Sequence, residues 1–404
     1  MKLLYVHDNI YQQCPDGFVY SPGQFPYVYW RKFLKHFDHI NVVGRGVGLN
    51  DEIKKLNISS GENVSFTLFP NINTPLGRLK YTSSVNKRLK QVVAESDAVI
   101  VRAVSDLGWL AYKHAKCMDK PIAMEMAACA WDSTWHHGNR LGKIYAPIRY
   151  IRDRIIAKNA DYVMYVSQEF LQRRYPTNAQ TETASNVFIK NPRKDKIDQR
   201  LSAIKTKEEI LTKPNVIGLV GNLDNKIKGV ADALTALSIV EKQKPGCFTF
   251  RHLGPGNQKP YKKLAKKLGI AEHVHFDGMI QSGQAVLDWM EQLDLYLQPS
   301  YQEGVPRATI EAMSTACPIV ASTAGGIPEL IEEKWLIKPG DTHMLAALIM
   351  KILDSPNNQY EAGLYNYNKS LDFIDTKLSA KREKFWGAFA AFADGQNKIK
   401  QNQT

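Results

Sequence analysis

The 404-residue sequence predicts two doubly wound α/β domains, each a parallel sheet covered by helices on both faces. Three observations lead to this fold class. The chain is too long for one ordinary domain. Short β-rich apolar runs alternate with segments of helical periodicity. The alternation stops at a lysine-rich stretch and then starts again. The composition, 44% hydrophobic and 23% charged, is ordinary for a globular protein and excludes disorder, collagen and coiled coil.

The first half of the chain contains five candidate strands bounded by Gly, Pro or polar clusters. They are residues 3–6, 40–43, 98–101, 122–126 and 162–166. Helix-length segments separate them, and parallel strands need such crossover connections, so the order predicts a parallel sheet. We assign residues 1–192 to this N-terminal Rossmann-like domain.

The second half repeats the pattern after a polar connection with Pro192 and Pro214 as breakers, predicted as a linker over 193–213. The second domain, 214–375, has candidate strands at 216–220, 248–253, 273–276, 293–297 and 319–321. A last helix over 376–395 carries an aromatic face, and we expect it to pack back on the N-terminal domain. The polar tail, 396–404, is expected to fray.

Several classes of protein are excluded by what the sequence lacks. No segment has the roughly 18 apolar residues of a membrane span. The apolar run at residues 1–6 meets His7 and Asp8 at once, which is typical of a buried strand and not of a signal peptide. The five cysteines are scattered without a CxxC pair, so we expect a reducing cytoplasm, no disulfide framework and no zinc site.

The most informative segment runs over residues 299–329. A strand ends at Pro299, Gly304 lies in a loop, and Pro306 suits the first turn of a helix that must end before Pro318. A helix that starts at the carboxyl edge of a sheet offers free amides and its positive dipole end to a phosphate.

Two glutamates flank this helix start. Glu311 lies about 7.5 Å along the axis beyond Pro306, which matches the step from a diphosphate to the ribose of a nucleotide. Its carboxylate suits two ribose hydroxyls. Glu303, in the loop before the helix, would lie on the other side of the phosphate and accept hydrogen bonds from an attached sugar.

These residues resemble the E-x7-E signature of the retaining glycosyltransferases of family 4, whose architecture is called GT-B. The resemblance implies two Rossmann-like domains facing across a cleft, with Glu303 as the catalytic residue at the donor sugar and Glu311 at the ribose. It also implies that Gly304, Val305 and Pro306 surround the donor diphosphate. The continuation from Gly325 to Glu329 is similar to the family as well.

A second similarity follows the first strand of the second domain, at 220–223 and 228–229. The family usually has Arg at the position of Asn222 and Lys at that of Lys228, and both hold the diphosphate. The Arg is absent here, and Lys228 remains. The alternative role of Lys228 is that of a solvated lysine at the start of a helix. Lys226 is a candidate for the second positive charge at the diphosphate. Gly254 begins a turn that resembles the glycine turn of the family near the nucleotide.

The first domain offers less specific candidates. Gly17 lies in a loop after the first strand, where a sugar or acceptor would approach the backbone. Arg102 ends a strand and either meets phosphate or forms a buried ion pair. Asp132 precedes His136 and His137, of which at most one would orient the acceptor or touch the reacting sugar; a structural or solvated histidine is the alternative.

The net charge of +13 has a local component. Between Arg140 and Arg174 there are eight basic and three acidic residues. A row of isoleucines shares one helical face there: Ile144, Ile148, Ile151 and Ile155. Such a helix either rests on anionic lipid or packs these isoleucines into the core with a solvated basic back.

Taken together, the resemblance implies a hexosyltransferase. It would move a sugar from a nucleotide diphosphate sugar to a glycan or lipid-linked saccharide with retention of configuration, in the biosynthesis of capsule, exopolysaccharide or O-antigen. We expect no cofactor and no metal, because the sequence has no Asp-x-Asp motif. The expected location is the cytoplasm. If the basic helix with the isoleucine row rests on anionic lipid, the protein would also contact the inner face of the membrane.

Two other function classes are alternatives. A nucleotide-sugar epimerase shares this architecture but needs no acceptor. A basic nucleic-acid-binding protein is the non-enzyme alternative, and no helix-turn-helix, zinc finger or RNP-like sequence supports it.

Overall fold

The computed structural model describes residues 1–21, 25–47, 57–135, 140–187, 189–190, 192–205, 214–281 and 283–402. The chain forms two compact units. The first consists of Met1–Val166, Leu171–Ala184 and Ser379–Thr404, and the second of Ser167–Phe170 and Ser185–Leu378.

The first unit is built on a nine-stranded sheet whose main strands run parallel in the order β5-β3-β1-β6-β7-β8-β9. Two short strands, β2 and β4, add antiparallel pairs beyond the end of β1. The bounds are β1 Lys2–Gln13, β2 Val19–Ser21, β3 His39–Val47, β4 Asn57–Ile58, β5 Val64–Phe69, β6 Ala98–Ala103, β7 Ile122–Met126, β8 Tyr162–Tyr165 and β9 Gln180–Thr183.

Helices cover both faces of this sheet. Their bounds are α1 Tyr27–Leu34, α2 Pro75–Ala94, α3 Asp106–Cys117, α4 Ala130–Trp135, α5 Arg140–Asn159 and α6 Phe170–Arg174. Helix α3 lies between α2 and α5 and contacts both. Crossover connections between parallel strands are right-handed. The connections through α2, α3 and α5 run toward β9, whereas α1 connects β1 to β3 in the opposite direction. Helix α1 therefore covers the face of the sheet opposite to α2, α3 and α5.

The second unit contains a six-stranded parallel sheet in the order β12-β11-β10-β13-β14-β15. Its strands are β10 Asn215–Val220, β11 Phe248–Leu253, β12 Val274–Gly278, β13 Leu295–Gln298, β14 Ile319–Ser322 and β15 Leu336–Ile337. The predicted fold class is therefore confirmed: both units are doubly wound α/β structures. The short or edge strands β2, β4, β5, β9 and β15 were not predicted.

Helices precede, connect and follow the strands of the second unit. They are α7 Lys194–Lys205, α8 Val230–Gln243, α9 Lys259–Leu268, α10 Gln284–Met290, α11 Arg307–Ser314, α12 Thr342–Leu353 and α13 Pro356–Ser370. The chain builds outward from β10 to β11 and β12 on one side, then to β13 on the other. The strand order thus reverses between β10 and β13, and open α/β sheets bind ligands outside the carboxyl ends at such a point.

Two segments near the predicted boundaries are helical. Helix α7, inside the segment 193–213, packs Ile197 and Leu201 against Ala316 and belongs to the second unit. The last helix, α14, spans Asp375–Gln401 and so extends through most of the segment 396–404.

The aromatic face of α14 packs within the first unit. The Trp386 ring lies 5.1 Å from that of Phe33, and the Phe389 ring lies 6.2 Å from that of Phe37. Tyr162 of β8 also contacts this aromatic face. Together with α1, α14 therefore covers its face of the first sheet.

Helix α5 directs Arg149 and Arg152 inward and its row of four isoleucines, Ile144 to Ile155, outward. Arg149 and Arg152 reach Asp106 at 3.4 Å and 3.3 Å, and Arg149 lies 3.6 Å from Asp8. The isoleucine row is exposed, from 38% at Ile155 to 72% at Ile144. The interpretation of this helix as a core helix with its isoleucines inward is thus wrong, because buried aspartates hold the arginines there.

The buried carboxylate of Asp8 organises this cluster. It accepts hydrogen bonds from the backbone amides of Asp106 (2.7 Å) and Leu107 (3.1 Å) and from the Ser105 hydroxyl (2.9 Å), which together satisfy the start of α3. Asn73 adds a fourth donor at 3.0 Å. Arg149 of α5 then balances the charge of this carboxylate, which is almost fully removed from water.

Asp153 of α5 is buried beside this cluster. Burial raises its pKa to about 7, an effect that Arg149 only partly opposes and to which the negative charges of Asp106 and Asp8 add. Its Oδ2 atom has no hydrogen-bond partner among the described residues. Ionised Asp153 is therefore poorly compensated in the folded protein.

Within the described ranges, none of the helices combines the length and the apolar character needed to cross a bilayer.

The environment of Asp153 predicts a pH-dependent stability. Between the pKa of an unfolded Asp, about 4, and the value of about 7 in the fold, the unfolded chain releases its proton first, so stability falls as pH rises through this window and stays low above it. We expect Asp153→Asn to melt several degrees above wild type at pH 8 and to lose most of this advantage toward pH 5. Differential scanning fluorimetry from pH 5 to pH 9 measures the difference.

The matched control is Glu62→Gln, which removes an exposed carboxylate from the same unit. It should melt with wild type at every pH. A gain for Asp153→Asn that is constant across the pH range would contradict the assigned ionisation.

Candidate active site

The loops that follow β10, β11 and β13 lie against one another at the carboxyl edge of the second sheet. Gly229 has φ +69°, and a Cβ atom there would lie 2.2 Å from the carbonyl oxygen of Pro299. Gly254 has φ +142°, and its Cβ would lie 2.0 Å from the carbonyl oxygen of Gly221. Only glycine permits these approaches, and they bring the loops of three strands to the crevice between β10 and β13.

An ion pair joins two of these loops. The Nζ atom of Lys228, in the loop after β10, lies 2.7 Å from Oε1 of Glu303, in the loop after β13. The glutamate side chain is only 9% exposed and the lysine side chain 25% exposed. The structure therefore brings together two residues that the sequence analysis selected separately, 75 positions apart.

Two further side chains fix the Glu303 carboxylate. Its Oε1 atom also accepts hydrogen bonds from Ser300 Oγ (2.8 Å) and Gln298 Nε2 (2.9 Å). All three donors converge on Oε1, and among the described residues none donates to Oε2. The carboxylate is thus held by one oxygen and keeps the other for a ligand.

Gln298 connects this carboxylate to α11. Its Oε1 atom accepts from the hydroxyls of Tyr296 (2.7 Å) and Thr309 (3.2 Å), which orients the amide so that its nitrogen faces Glu303 and Ser300. Gln298 and Ser300 were not predicted as site residues. The available signal was polar side chains at the end of an otherwise apolar buried strand, directly before the motif.

The first backbone amides of α11 have no side-chain cap. The helix begins at Arg307, one residue later than predicted, with Pro306 as its N-cap residue and no side-chain cap. The carbonyl oxygen of Gly304 accepts a hydrogen bond from Gly326 N (2.8 Å), and the Val305 side chain lies beside the same glycine. The predicted 304–306 segment is therefore a fixed loop that leads into uncapped amides.

Glu311 lies in the second turn of α11. Its side chain is half-buried, and among the described residues no donor forms a hydrogen bond to its carboxylate. Burial raises its pKa, and Arg307, one turn earlier, opposes this effect. A partly desolvated carboxylate without donors favours a ligand that brings hydroxyl groups.

The remaining candidates of the second unit lie in the loops after β10 and β11. The side chain of Asn222 is exposed, and its Oδ1 accepts from the backbone amide of Asp224 (2.8 Å) in a turn. Lys226 is exposed in the same loop. Gly254 donates its amide to the carbonyl oxygen of Gly278 (2.7 Å), which holds the glycine turn at the edge of the sheet.

In the first unit, Arg102 forms the buried ion pair that the sequence analysis gave as one of its two alternatives. Its guanidinium contacts Glu125, which also accepts from the hydroxyls of Tyr5 (2.6 Å) and Tyr29 (2.9 Å) and from Lys32 (3.3 Å). Burial alone would raise the pKa of Glu125, but Arg102, Lys32 and the tyrosine hydroxyls outweigh it and hold the pKa well below its usual range. Burial lowers the pKa of Lys32 to about 8.

Two other candidates of the first unit, Gly17 and Asp132, belong to local structure. Gly17 occupies an exposed turn between β1 and β2, with φ +84°. Asp132 pairs with Arg174 at 3.0 Å. His136 and His137 lie outside the described residues.

Across the described part of the chain, no group of three His, Cys, Asp or Glu side chains is arranged to hold a metal ion. Metal independence stays a prediction from the missing Asp-x-Asp motif.

Comparison with known proteins gives consistent findings. Residues 214–355 match the family described as "Glycosyl transferases group 1". Protein CapJ of Staphylococcus aureus is 30% identical over 95% of this chain and 94% of its own length. Two solved structures share the fold. WaaG, a glycosyltransferase involved in lipopolysaccharide biosynthesis, aligns with TM-score 0.61 at 17% identity over 96% of this chain and 99% of its own. HepE of Anabaena, in complex with UDP-glucose, aligns with TM-score 0.63 at 19% identity over 95% and 98%.

The hydrogen bonds of Gln298 predict a stability cost for its removal. Gln298→Leu leaves the buried hydroxyls of Tyr296 and Thr309 without their acceptor, so we expect a loss of about 1–3 kcal/mol in the free energy of unfolding. Urea denaturation followed by tryptophan fluorescence measures the loss. Gln284→Leu, at an exposed position of α10, is the control and should change stability by less than about 0.5 kcal/mol. Equal effects of the two substitutions would show that the Gln298 network contributes nothing.

Proposed function

The chain belongs to the group 1 glycosyltransferases, and from this premise we propose that it transfers a sugar from a nucleotide diphosphate sugar to a hydroxyl group of a glycan or lipid-linked saccharide. In this reaction the bond between the anomeric carbon and the diphosphate oxygen breaks, and the diphosphate leaves with the electron pair. The acceptor oxygen forms the new bond and releases its proton. The same proposal includes retention of the anomeric configuration and no need for a metal.

The observation that carries the proposal is the carboxylate of Glu311, which is half-buried in the second turn of α11 and has no donor among the described residues. Ribose supplies two adjacent hydroxyl groups that fit such a carboxylate, and the amides at the start of α11 fit the diphosphate. The spacing between Pro306 and Glu311 supports one nucleotide spanning both. The crevice between β10 and β13 is also where a doubly wound sheet takes nucleotides.

Lys228 and Glu303 supply the electrostatic part of the proposed mechanism. The ammonium of Lys228 would stabilise negative charge as it develops on the departing diphosphate, a form of catalysis that usually contributes most to rate. Its hydrogen bond to Glu303 Oε1 keeps it at a fixed position, so little reorganisation is needed during reaction. The Oε2 atom of Glu303, to which none of the described residues donates, would accept a hydrogen bond from a hydroxyl group of the donor sugar.

Asn222 is not proposed to hold the diphosphate as the Arg of the family does. Its side-chain oxygen is used in a local turn, so the exposed Lys226 is the stronger candidate for a second charge at the diphosphate. His136 or His137 is proposed to orient the acceptor or touch the reacting sugar, on the sequence pattern alone.

The proposed setting is the biosynthesis of a cell-surface polysaccharide. Support comes from the full-length relationship to CapJ and the shared fold with WaaG, whose own role is in lipopolysaccharide biosynthesis. We place the reaction in the cytoplasm, at the inner face of the membrane. The free thiols Cys14, Cys117, Cys129, Cys247 and Cys317 support a reducing compartment.

The role of Glu311 predicts a selective loss of donor binding. Glu311→Ala removes two charge-assisted hydrogen bonds to ribose, so we expect the Kd for the matching nucleotide sugar to rise roughly 10- to 100-fold. A thermal-shift panel of UDP, GDP and ADP sugars identifies the nucleotide with wild type, and calorimetry gives the two Kd values. Glu333→Ala, at an exposed position of the same unit, is the control and should bind like wild type.

The same samples test the reaction. Wild type incubated with radiolabelled donor and glycan acceptors should form a glycoside of retained configuration. If no nucleotide sugar stabilises wild type, or if Glu311→Ala responds equally, the site is wrongly assigned. A new epimer formed without acceptor would replace transfer with epimerisation.

A further inference from the structure

Three neighbouring helices on one face of the first unit carry most of the net charge of the chain. Helices α2, α3 and α5 contain thirteen Lys and Arg residues and two acidic residues. The acidic residues, Asp106 and Asp153, are both buried. These helices therefore account for +11 of the formal net charge of +13.

The charges on the surface of these helices have one sign. In the described part of the chain, none of the three helices exposes an acidic side chain. Their exposed basic residues, which we call the basic face, are Lys80, Lys87, Arg88, Lys90, Lys113, Lys116, Lys143, Arg154 and Lys158.

Apolar side chains are exposed beside these charges. The isoleucines of α5 form a row along the helix, defined here as the isoleucine row: Ile144, Ile148, Ile151 and Ile155. Leu76 and Leu79 at the start of α2 are 75% and 88% exposed. Between them, Arg78 stacks its guanidinium 4.4 Å from the ring of Tyr145 on α5, so the start of α2 adjoins that helix.

The isoleucine row is held outward by the interior of the unit. Arg149 and Arg152 occupy the inner side of α5, where they pair with Asp106. If α5 rotated to bury the isoleucines, the buried carboxylate of Asp106 would lose its arginine partners and face apolar side chains, at a large cost in free energy. The exposed apolar row is thus a fixed property of the surface.

We propose that the basic face and the isoleucine row form the surface by which the protein binds an anionic lipid bilayer. A helix that lies in the plane of a membrane inserts an apolar stripe between acyl chains and keeps Lys and Arg at the level of the headgroups. The exposed isoleucines of α5, flanked by Lys143, Arg154 and Lys158, have this arrangement. Each basic residue near an anionic surface adds to the attraction.

The positive charge of the basic face favours anionic lipid over a second copy of the chain as the partner that binds this surface. A symmetric dimer through this surface would place two basic faces of nine exposed cations against each other. Like charges in that position oppose association, whereas anionic headgroups complement every one of them.

The inference extends the proposed function, because a lipid-linked acceptor lies at such a surface. Its test is independent of that function, since vesicle binding is measured without donor or acceptor. Failure to bind vesicles and failure to transfer sugar are therefore separate results.

The test is co-sedimentation of the full-length protein with vesicles. We expect binding to phosphatidylcholine vesicles that contain about 30% phosphatidylglycerol and little binding to pure phosphatidylcholine. Binding should weaken when NaCl is raised from about 0.1 M to about 1 M, where the Debye length falls from about 10 Å to about 3 Å.

Two variants separate the apolar and the charged contributions. Ile148→Gln with Ile151→Gln, and Lys143→Gln with Arg154→Gln and Lys158→Gln, should each weaken vesicle binding at least tenfold, because each removes one of the two attractions. The apolar control is Met344→Gln with Ile399→Gln. The charge control is Lys263→Gln with Lys266→Gln and Lys267→Gln in the basic helix α9, which removes the same number of exposed cations. Both controls should bind like wild type.

Three results would overturn the proposal. One is equal binding of wild type to neutral and anionic vesicles, or to neither. Another is a charge control that weakens binding as much as the α5 variant, since lipid would then respond to net charge alone. The third is a wild-type dimer in sedimentation velocity that the isoleucine variant converts to monomer, which would make this a self-association surface.

Discussion

The ion pair between Lys228 and Glu303 joins the loops that leave β10 and β13, at the point where the order of the second sheet reverses. Gln298 and Ser300 donate hydrogen bonds to the Glu303 carboxylate, and the hydroxyl of Thr309 links Gln298 to α11. One hydrogen-bonded chain therefore fixes the lysine, the Glu303 carboxylate and the start of the helix. The proposed donor site depends on this chain, because the ammonium, the uncapped amides and Glu311 must all face one nucleotide.

Much of the candidate site was predictable, because its residues lie in one local motif. The spacing of Glu303, Pro306 and Glu311 on a loop and a helix sets their separation without reference to the rest of the fold. Contacts across the sheet were not predictable in the same way. Nothing in the sequence indicates that Lys228 bonds to Glu303, or that the Gln298 amide is oriented by Tyr296, because these pairings depend on the order of the strands.

In the fold, too, features set by the local sequence were predictable, whereas features set by residues distant in sequence were not. Central strands such as β7 and β11 were predicted at their observed bounds, because β7 is a short, mostly apolar run and β11 is rich in Phe and Thr, residues typical of strands. The short edge strand β9 has no apolar residue. The periodicity of α5 identified its isoleucine row but not the direction in which the row faces, because that direction is set by Asp8 and Asp106, which lie far away in sequence.

The central claim, that Glu311 binds the ribose of a nucleoside diphosphate, is tested most directly by changing both partners. Calorimetry would compare the nucleoside diphosphate that binds and its 2′,3′-dideoxy analogue on wild type and on Glu311→Ala. If the carboxylate bonds to the ribose hydroxyls, wild type binds the analogue roughly 10- to 100-fold more weakly, and Glu311→Ala binds both ligands equally. Losses that add, with the variant still discriminating against the analogue, would contradict the account.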